Sequence, residues 1–313
     1  MIVRRAQNLL AVAALGTAAA GCGTSGASAD GGAPKVVASF YPLAFVAERV
    51  GGPDIQVDNL TAPGVESHDL ELTARQVGEI AQADMVVYEK GFQPSVDEAV
   101  EQNAGDTALD VTQVVPLDRH VEHHDEATEE HDESHSHGDL TGDPHIWLDP
   151  TRLAAITQAV ADSLAEVVPE HADAFHQRAD ALVAELTALD GEFRSGLADC
   201  ERTTVVTSHD AFGYLADRYG LEMVGISGLE PDAEPSPARL KEVQRVIADT
   251  GVTTVFYERL VNPEVAQTLA VDLGISTAVL DPVEGLTEDT EGEDYLTLMR
   301  ANLTALEEAN GCT

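Results

Sequence analysis

Histidine at three widely separated places gives this sequence its chemistry. His68 sits in Glu66-Ser67-His68-Asp69-Leu70-Glu71, His145 in Asp143-Pro144-His145-Ile146-Trp147-Leu148-Asp149-Pro150, and His209 in Ser208-His209-Asp210-Ala211-Phe212. A neutral imidazole nitrogen is a ligand for borderline metals, and a carboxylate cancels one unit of the ion's charge. Asp281, in Val279-Leu280-Asp281-Pro282, supplies that carboxylate. Three imidazoles and one carboxylate match tetrahedral Zn2+ ligation. Glu66, two residues before His68, is a rival fourth ligand, and a water is another. Mn2+ would prefer harder oxygen donors, whereas Cu2+ and Ni2+ could compete for a nitrogen-rich site. An imidazole binds metal only when deprotonated, and free histidine has a pKa near ~6.5, so affinity should fall as pH drops through the low sixes. Asp69, Glu71, Asp149 and Glu258 are candidates to orient the rings. The sequence has no His-Glu-x-x-His motif, and no catalytic residue is assigned. A binder is therefore expected rather than a zinc hydrolase.

These residues can meet only if the chain brings distant loops together. Apolar patterning predicts strands at 36–40, 54–60, 85–88 and 107–111, alternating with helices at 43–50, 73–83 and 94–103. Two long helical stretches follow, 151–168 and 169–198. Strands at 203–207, 221–226, 253–257 and 276–280 then alternate with helices at 211–219, 237–250 and 263–273, before a closing helix at 295–309. Such alternation implies an α/β fold with parallel sheets. It divides the chain into an N-terminal lobe (34–168), a linker helix (169–198) and a C-terminal lobe (199–313). About thirty helical residues would span ~45 Å and act as a stiff strut. Metal release should then depend on local motion near 68–72 or 143–147 rather than on wide closure. His68, His209 and Asp281 each follow a strand, where open α/β sheets bind their ligands. His171 and His176 lie on the strut and read as solvated.

Charge narrows the function further. Lys and Arg number 17 against 56 Asp and Glu, a net −39 that repels nucleic acid. Six histidines, His120, His123, His124, His131, His135 and His137, crowd an acidic stretch (118–142) without apolar periodicity. It reads as a mobile auxiliary loop offering weak, multi-site metal capture. Residues 1–21, with Arg4 and Arg5 before a short apolar run, describe an export signal too short to span a membrane. Cys22 follows Ala19-Ala20-Gly21, similar to a bacterial lipobox in which the cysteine is lipidated; a plain secretory signal is the alternative. Residues 22–33 form a flexible tether. Cys200 and Cys312 remain, and in an oxidising space they permit one disulfide, or stand as two buried thiols.

The motifs around the three histidines, with Tyr214, the 228–237 segment Gly-Leu-Glu-Pro-Asp-Ala-Glu-Pro-Ser-Pro and Asp281-Pro282, resemble the metal-binding solute-binding proteins of ABC transporters, the cluster A-I family that includes ZnuA-like zinc carriers. The resemblance runs from Lys35 onward in the family's motif order. It implies two lobes joined by a rigid helix, with the metal at their interface. It also implies delivery of the metal to a membrane permease driven by a cytoplasmic ATPase. The export signal and Cys22 lead us to expect an exported, lipid-anchored protein, and a monomer is expected. The manganese branch has Glu where His209 stands, and the His-rich loop is similar to the zinc branch, so both point to Zn2+. Manganese carriage and a surface-adhesin role, assigned to lipid-anchored members of the family, are the alternatives.

Overall fold

The computed structural model describes residues 32–118 and 142–313. Four short strands, β1 (Lys35–Ala38), β2 (Gln56–Asn59), β3 (Met85–Tyr88) and β4 (Ala108–Asp110), alternate with α1 (Tyr41–Gly51), α2 (Ala74–Ile80) and α3 (Pro94–Asn103). The long helices α4 (Pro150–Val167) and α5 (Ala172–Gly196) follow. A second series repeats the plan: β5 (Thr204–Thr207), α6 (Gly213–Tyr219), β6 (Glu222–Gly225), α7 (Pro237–Thr250), β7 (Thr254–Tyr257), α8 (Glu264–Leu273), β8 (Ser276–Val279) and α9 (Tyr295–Asn310).

Each lobe is one parallel sheet, ordered β2-β1-β3-β4 and β6-β5-β7-β8. The register pairs Val36 with Val57 and Met85, and Val206 with Val224 and Val255. Helices cover both faces of a parallel sheet, so its central strands are apolar throughout, as the buried Val36, Val37, Val205 and Val206 are. Local signals set the helix ends. Thr73 and Gln76 close a capping box on α2, and Asp149 caps α4 by accepting from the Thr151 N–H, with Pro150 at the first helical position. Gly251 ends α7 at φ 71°, a conformation that costs glycine little.

The strut is shorter than the sequence suggested. Pro169–His171 is a separate 3-10 turn, so α5 has 25 residues, or about 37 Å. It lies along α4 and touches α1 on one side and α9 on the other. Its stripe of Phe175, Leu182, Leu186, Leu189 and Phe193 is fully buried. Arg178 donates to the carbonyls of Val50 and Gly51 and to Asp54, while Arg300 pairs with Glu192. One continuous apolar core runs from Val36 through Leu186 to Leu280, joining both lobes. A hinge between them would have to open that core, and dense interiors resist such deformation. Cys200 and Cys312 are bonded, pinning the end of α9 to the start of the second lobe.

Candidate metal centre

Four loops meet where the carboxyl ends of the strands face one another. His68 comes from the β2–α2 loop, His145 from the segment before α4, His209 from the turn after β5, and Glu284 from the segment after β8. Each offers one ligand atom, and these atoms lie within 4.8 Å of one another, the one such cluster among the described residues. His145 Nε2 stands 3.2 Å from His209 Nε2. Glu284 Oε1 is 3.5 Å from His145 Nε2, 3.6 Å from His68 Nε2 and 4.0 Å from His209 Nε2. Ligands about 2.1 Å from a tetrahedral zinc ion stand about 3.4 Å apart, so these separations suit one shared ion. The four residues are 0–5% exposed. Among the described residues, His68 Nε2 and Glu284 Oε1 have no hydrogen-bond partner, though both are buried. A buried polar atom is costly unless something satisfies it, and a cation between these two would.

The outer ring nitrogens are held from behind. His145 Nδ1 meets Asp143 at 2.7 Å, and the same carboxylate oxygen accepts the His145 N–H. His209 Nδ1 meets Glu258 at 2.7 Å, and the Ser208 hydroxyl donates to that carboxylate. These contacts turn both Nε2 atoms inward. His68 Nδ1 faces Glu230 across 3.9 Å, and its ring leans edge-on against Phe92. Gln93, 1% exposed, donates to the carbonyl of Ser67 and to the hydroxyl of Thr61, fixing the His68 loop. Phe40, Phe92 and Trp147 pack against one another, and Phe92 and Trp147 also reach the imidazoles of His68 and His145.

The structure brings together His68, His145 and His209 but not Asp281. The Asp281 carboxylate accepts from the Val283 N–H at 2.8 Å and from Arg259 Nε at 3.1 Å, and the carboxylate in the cluster belongs to Glu284, three residues on. Glu66 also stands outside the cluster: its two oxygens accept the backbone N–H groups of His68 and Asp69 and shape the loop. Of the residues expected to orient the rings, Glu258 does so. Asp149 instead caps α4 and pairs with Arg218, and Asp143, not among the expected residues, takes the place behind His145. The pattern Asp-x-His was the available signal for Asp143. For Glu284 it was a second acid in the same segment after β8. His171 and His176 are half-exposed beside Asp54 and Asp162. The six loop histidines and Cys22 lie outside the described residues.

Residues 36–309 match the family described as "Zinc-uptake complex component A periplasmic", or ZnuA. The chain belongs to the ZnuA family. It is 34% identical over 296 residues to the zinc-binding protein AdcA of Streptococcus pyogenes, covering 88% of this chain and 56% of AdcA. The chain therefore spans about half the length of that relative. It is 31% identical over 310 residues to the high-affinity zinc uptake system protein ZnuA of Bacillus subtilis, covering 96% of each. Among solved structures it resembles the Zn(II)-bound ZnuA-like domain of Streptococcus pneumoniae AdcA, with TM-score 0.72, 31% identity, and 89% and 99% of the two chains covered. It also resembles the laminin-binding protein Lmb of Streptococcus agalactiae, described as having adhesin and metal transporting activity, with TM-score 0.76, 29% identity, and 88% and 99% covered.

Charge in this ZnuA-type site is arranged to attract a cation. Burial opposes a proton on His145, but its bond to Asp143 and the charge of Glu284 outweigh that and push its pKa up to about 10. Burial opposes a charge on His68 as well, and the charge and proximity of Glu284 more than reverse it. Glu284 is driven upward by burial, yet the imidazoles of His68 and His145 hold it well below the usual carboxylate range. Protons and a divalent ion thus compete for the same nitrogens around one permanent negative charge. Nearby, Glu89 is buried, and neither of its carboxyl oxygens has a hydrogen-bond partner among the described residues. Burial pushes its pKa well above the usual range.

Proposed function

We propose that this protein captures Zn2+ outside the cytoplasm and passes it to an ABC-type importer, a permease with a cytoplasmic ATPase. His68, His145, His209 and Glu284 hold the ion. The buried cluster of three imidazoles and one carboxylate, drawn from both lobes, carries this reading. Its donors suit zinc by type and number, and Mn2+ would call for more oxygen. Four protein ligands complete the coordination shell and leave no open position for a reacting water, so the site is suited to carrying an ion rather than to hydrolysis. Export and a lipid anchor at Cys22 fit the names of relatives, which include a zinc-binding lipoprotein AdcA. No helix among the described residues is long and apolar enough to cross a membrane. The protein acts as a monomer, with the His-rich stretch 118–142 gathering zinc weakly at several sites.

Titration of the metal-free protein with Zn2+ and Mn2+ tests the proposal. One tight Zn2+ equivalent, lost on substitution of His68, His145 or His209, is expected; tighter Mn2+ binding would transfer the reading to manganese. A second role as an adhesin rests on the likeness to a laminin-binding protein, and zinc-independent binding to laminin would support it.

A further inference from the structure

Val283 is the one non-glycine residue with a left-handed backbone among the described residues, at φ 57°. It is β-branched and fully buried. Side chains of that kind rarely adopt this region, and such a conformation persists only where neighbours enforce it. The next residue is Glu284. Its Oε1 lies 3.5 to 4.0 Å from the three imidazole Nε2 atoms and has no hydrogen-bond partner among the described residues, so its direction depends on the backbone that carries it.

That backbone is tied at every residue. The Asp281 carboxylate accepts the Val283 N–H at 2.8 Å, closing the turn across Pro282. Arg259 Nε donates to the other carboxylate oxygen at 3.1 Å and fixes its rotamer. Asn302, on α9, accepts the Asp281 N–H at 2.8 Å and donates to the Asp281 carbonyl at 2.6 Å. Trp147 Nε1 donates to the Pro282 carbonyl at 2.7 Å. The Ser67 hydroxyl donates to the Glu284 carbonyl at 3.3 Å. The Asp281 carboxylate is the tie that acts directly on the strained residue.

We propose that Asp281 is a positioning residue: its carboxylate, steadied by Arg259, holds Val283 in the left-handed turn that aims Glu284 at His68, His145 and His209. This rests on the reading of those four residues as the zinc site. It also gives Asp281 a role although it touches no imidazole.

The test is a double-mutant cycle on zinc affinity, with Zn2+ itself as the probe. Asp281→Ala should weaken zinc binding roughly 10–100-fold, the usual range for an outer partner of a ligand. In a Glu284→Ala background the same change should cost less than about threefold, because Asp281 acts only through Glu284. Asp281→Asn, whose amide oxygen still accepts the Val283 N–H, should stay within about threefold of wild type. The Co2+-loaded Asp281→Ala protein should show a visible absorption spectrum altered in the same sense as that of Glu284→Ala. Equal losses in both backgrounds would reduce Asp281 to a general structural role and overturn the proposal. Equal losses for Asp281→Ala and Asp281→Asn, with Glu284→Ala binding normally, would make Asp281 the ligand and overturn it too. If Asp281→Ala does not fold, Arg259→Ala, at a partly exposed site, takes its place in the cycle with a smaller expected loss. Failure of the wild-type protein to bind zinc would instead refute the site itself.

Discussion

His145 and His209 stand 64 residues apart in the chain and in different lobes, yet their Nε2 atoms approach to 3.2 Å. Each ring is already held at Nδ1 by a carboxylate, Asp143 or Glu258, which leaves both Nε2 atoms aimed at the same point. The arrangement makes sense around a shared cation. Replacing any one of His68, His145, His209 or Glu284 by alanine should therefore weaken zinc binding more than about 100-fold. That exceeds the roughly 10–100-fold typical when an outer partner is lost, the effect expected for Asp143→Asn or Glu258→Gln. Competition titration against a chelator of known affinity measures both. A ligand variant that binds as tightly as wild type would remove that residue from the site.

Zinc should displace protons. The His145 pKa lies near 10 because Asp143 and Glu284 overcome the effect of burial, so at pH 7.5 the metal-free ring holds a proton that zinc must expel. Apparent affinity should fall with pH from well above neutrality, by roughly tenfold per unit for each proton displaced. For stability, a raised histidine pKa means a contribution fully present below the unfolded value near ~6.5 and lost as pH rises toward 10. Calorimetric titration in PIPES and in HEPES, which bind Zn2+ weakly and differ in ionisation enthalpy, should give different heats at pH 7.5. Identical heats would mean that no proton leaves.

How much of this could be read from the sequence follows from what each residue needs. The alternating strands and helices were plain, because apolar runs of four or five residues between helical stripes have few other uses. The three histidines were plain too: each stands in a short polar motif in a loop, His209 just after β5, His145 shortly before α4 and His68 between β2 and α2. Glu284 was not. Asp281 follows β8 immediately, the expected ligand position, and only the backbone path through Val283 decides which acid of the segment reaches the imidazoles. A φ value is not written in a residue's type. The break between α4 and α5 was half visible: Pro169 marked it, but the 3-10 turn at Pro169–His171 needed coordinates.

Glu89, which is not one of the four ligands, offers a second pH test; burial raises its pKa and the charge of His145 opposes that only in part. The folded protein therefore binds a proton that the unfolded chain has released once pH exceeds about 4.5. Stability should then fall as pH rises from there toward the folded value. Glu89→Gln keeps the shape and removes the titration. In metal-free protein the variant should gain on wild type steadily from pH 5 to pH 8, with the two close together near pH 4. Denaturant melts across that range measure the gap, and a gap that does not change with pH would show that Glu89 is ionised in the fold.

The disulfide should matter to stability and little to zinc. Cys200 and Cys312 close a loop with a sequence separation of 112 residues, and the chain-entropy argument gives roughly 4–5 kcal/mol for a loop of about that size. Cys200 lies just before β5, whereas His209 follows its far end, and four strand residues span about 13 Å. The bond therefore sits beyond the amino end of β5, away from the metal. A Cys200→Ser/Cys312→Ser protein should lose about 2–5 kcal/mol of folding stability by denaturant melt. It should still take up one equivalent of zinc with affinity within about threefold of wild type. A loss of zinc affinity as large as that of a ligand variant, in protein shown to be folded by circular dichroism, would mean that strain at this end of β5 reaches His209.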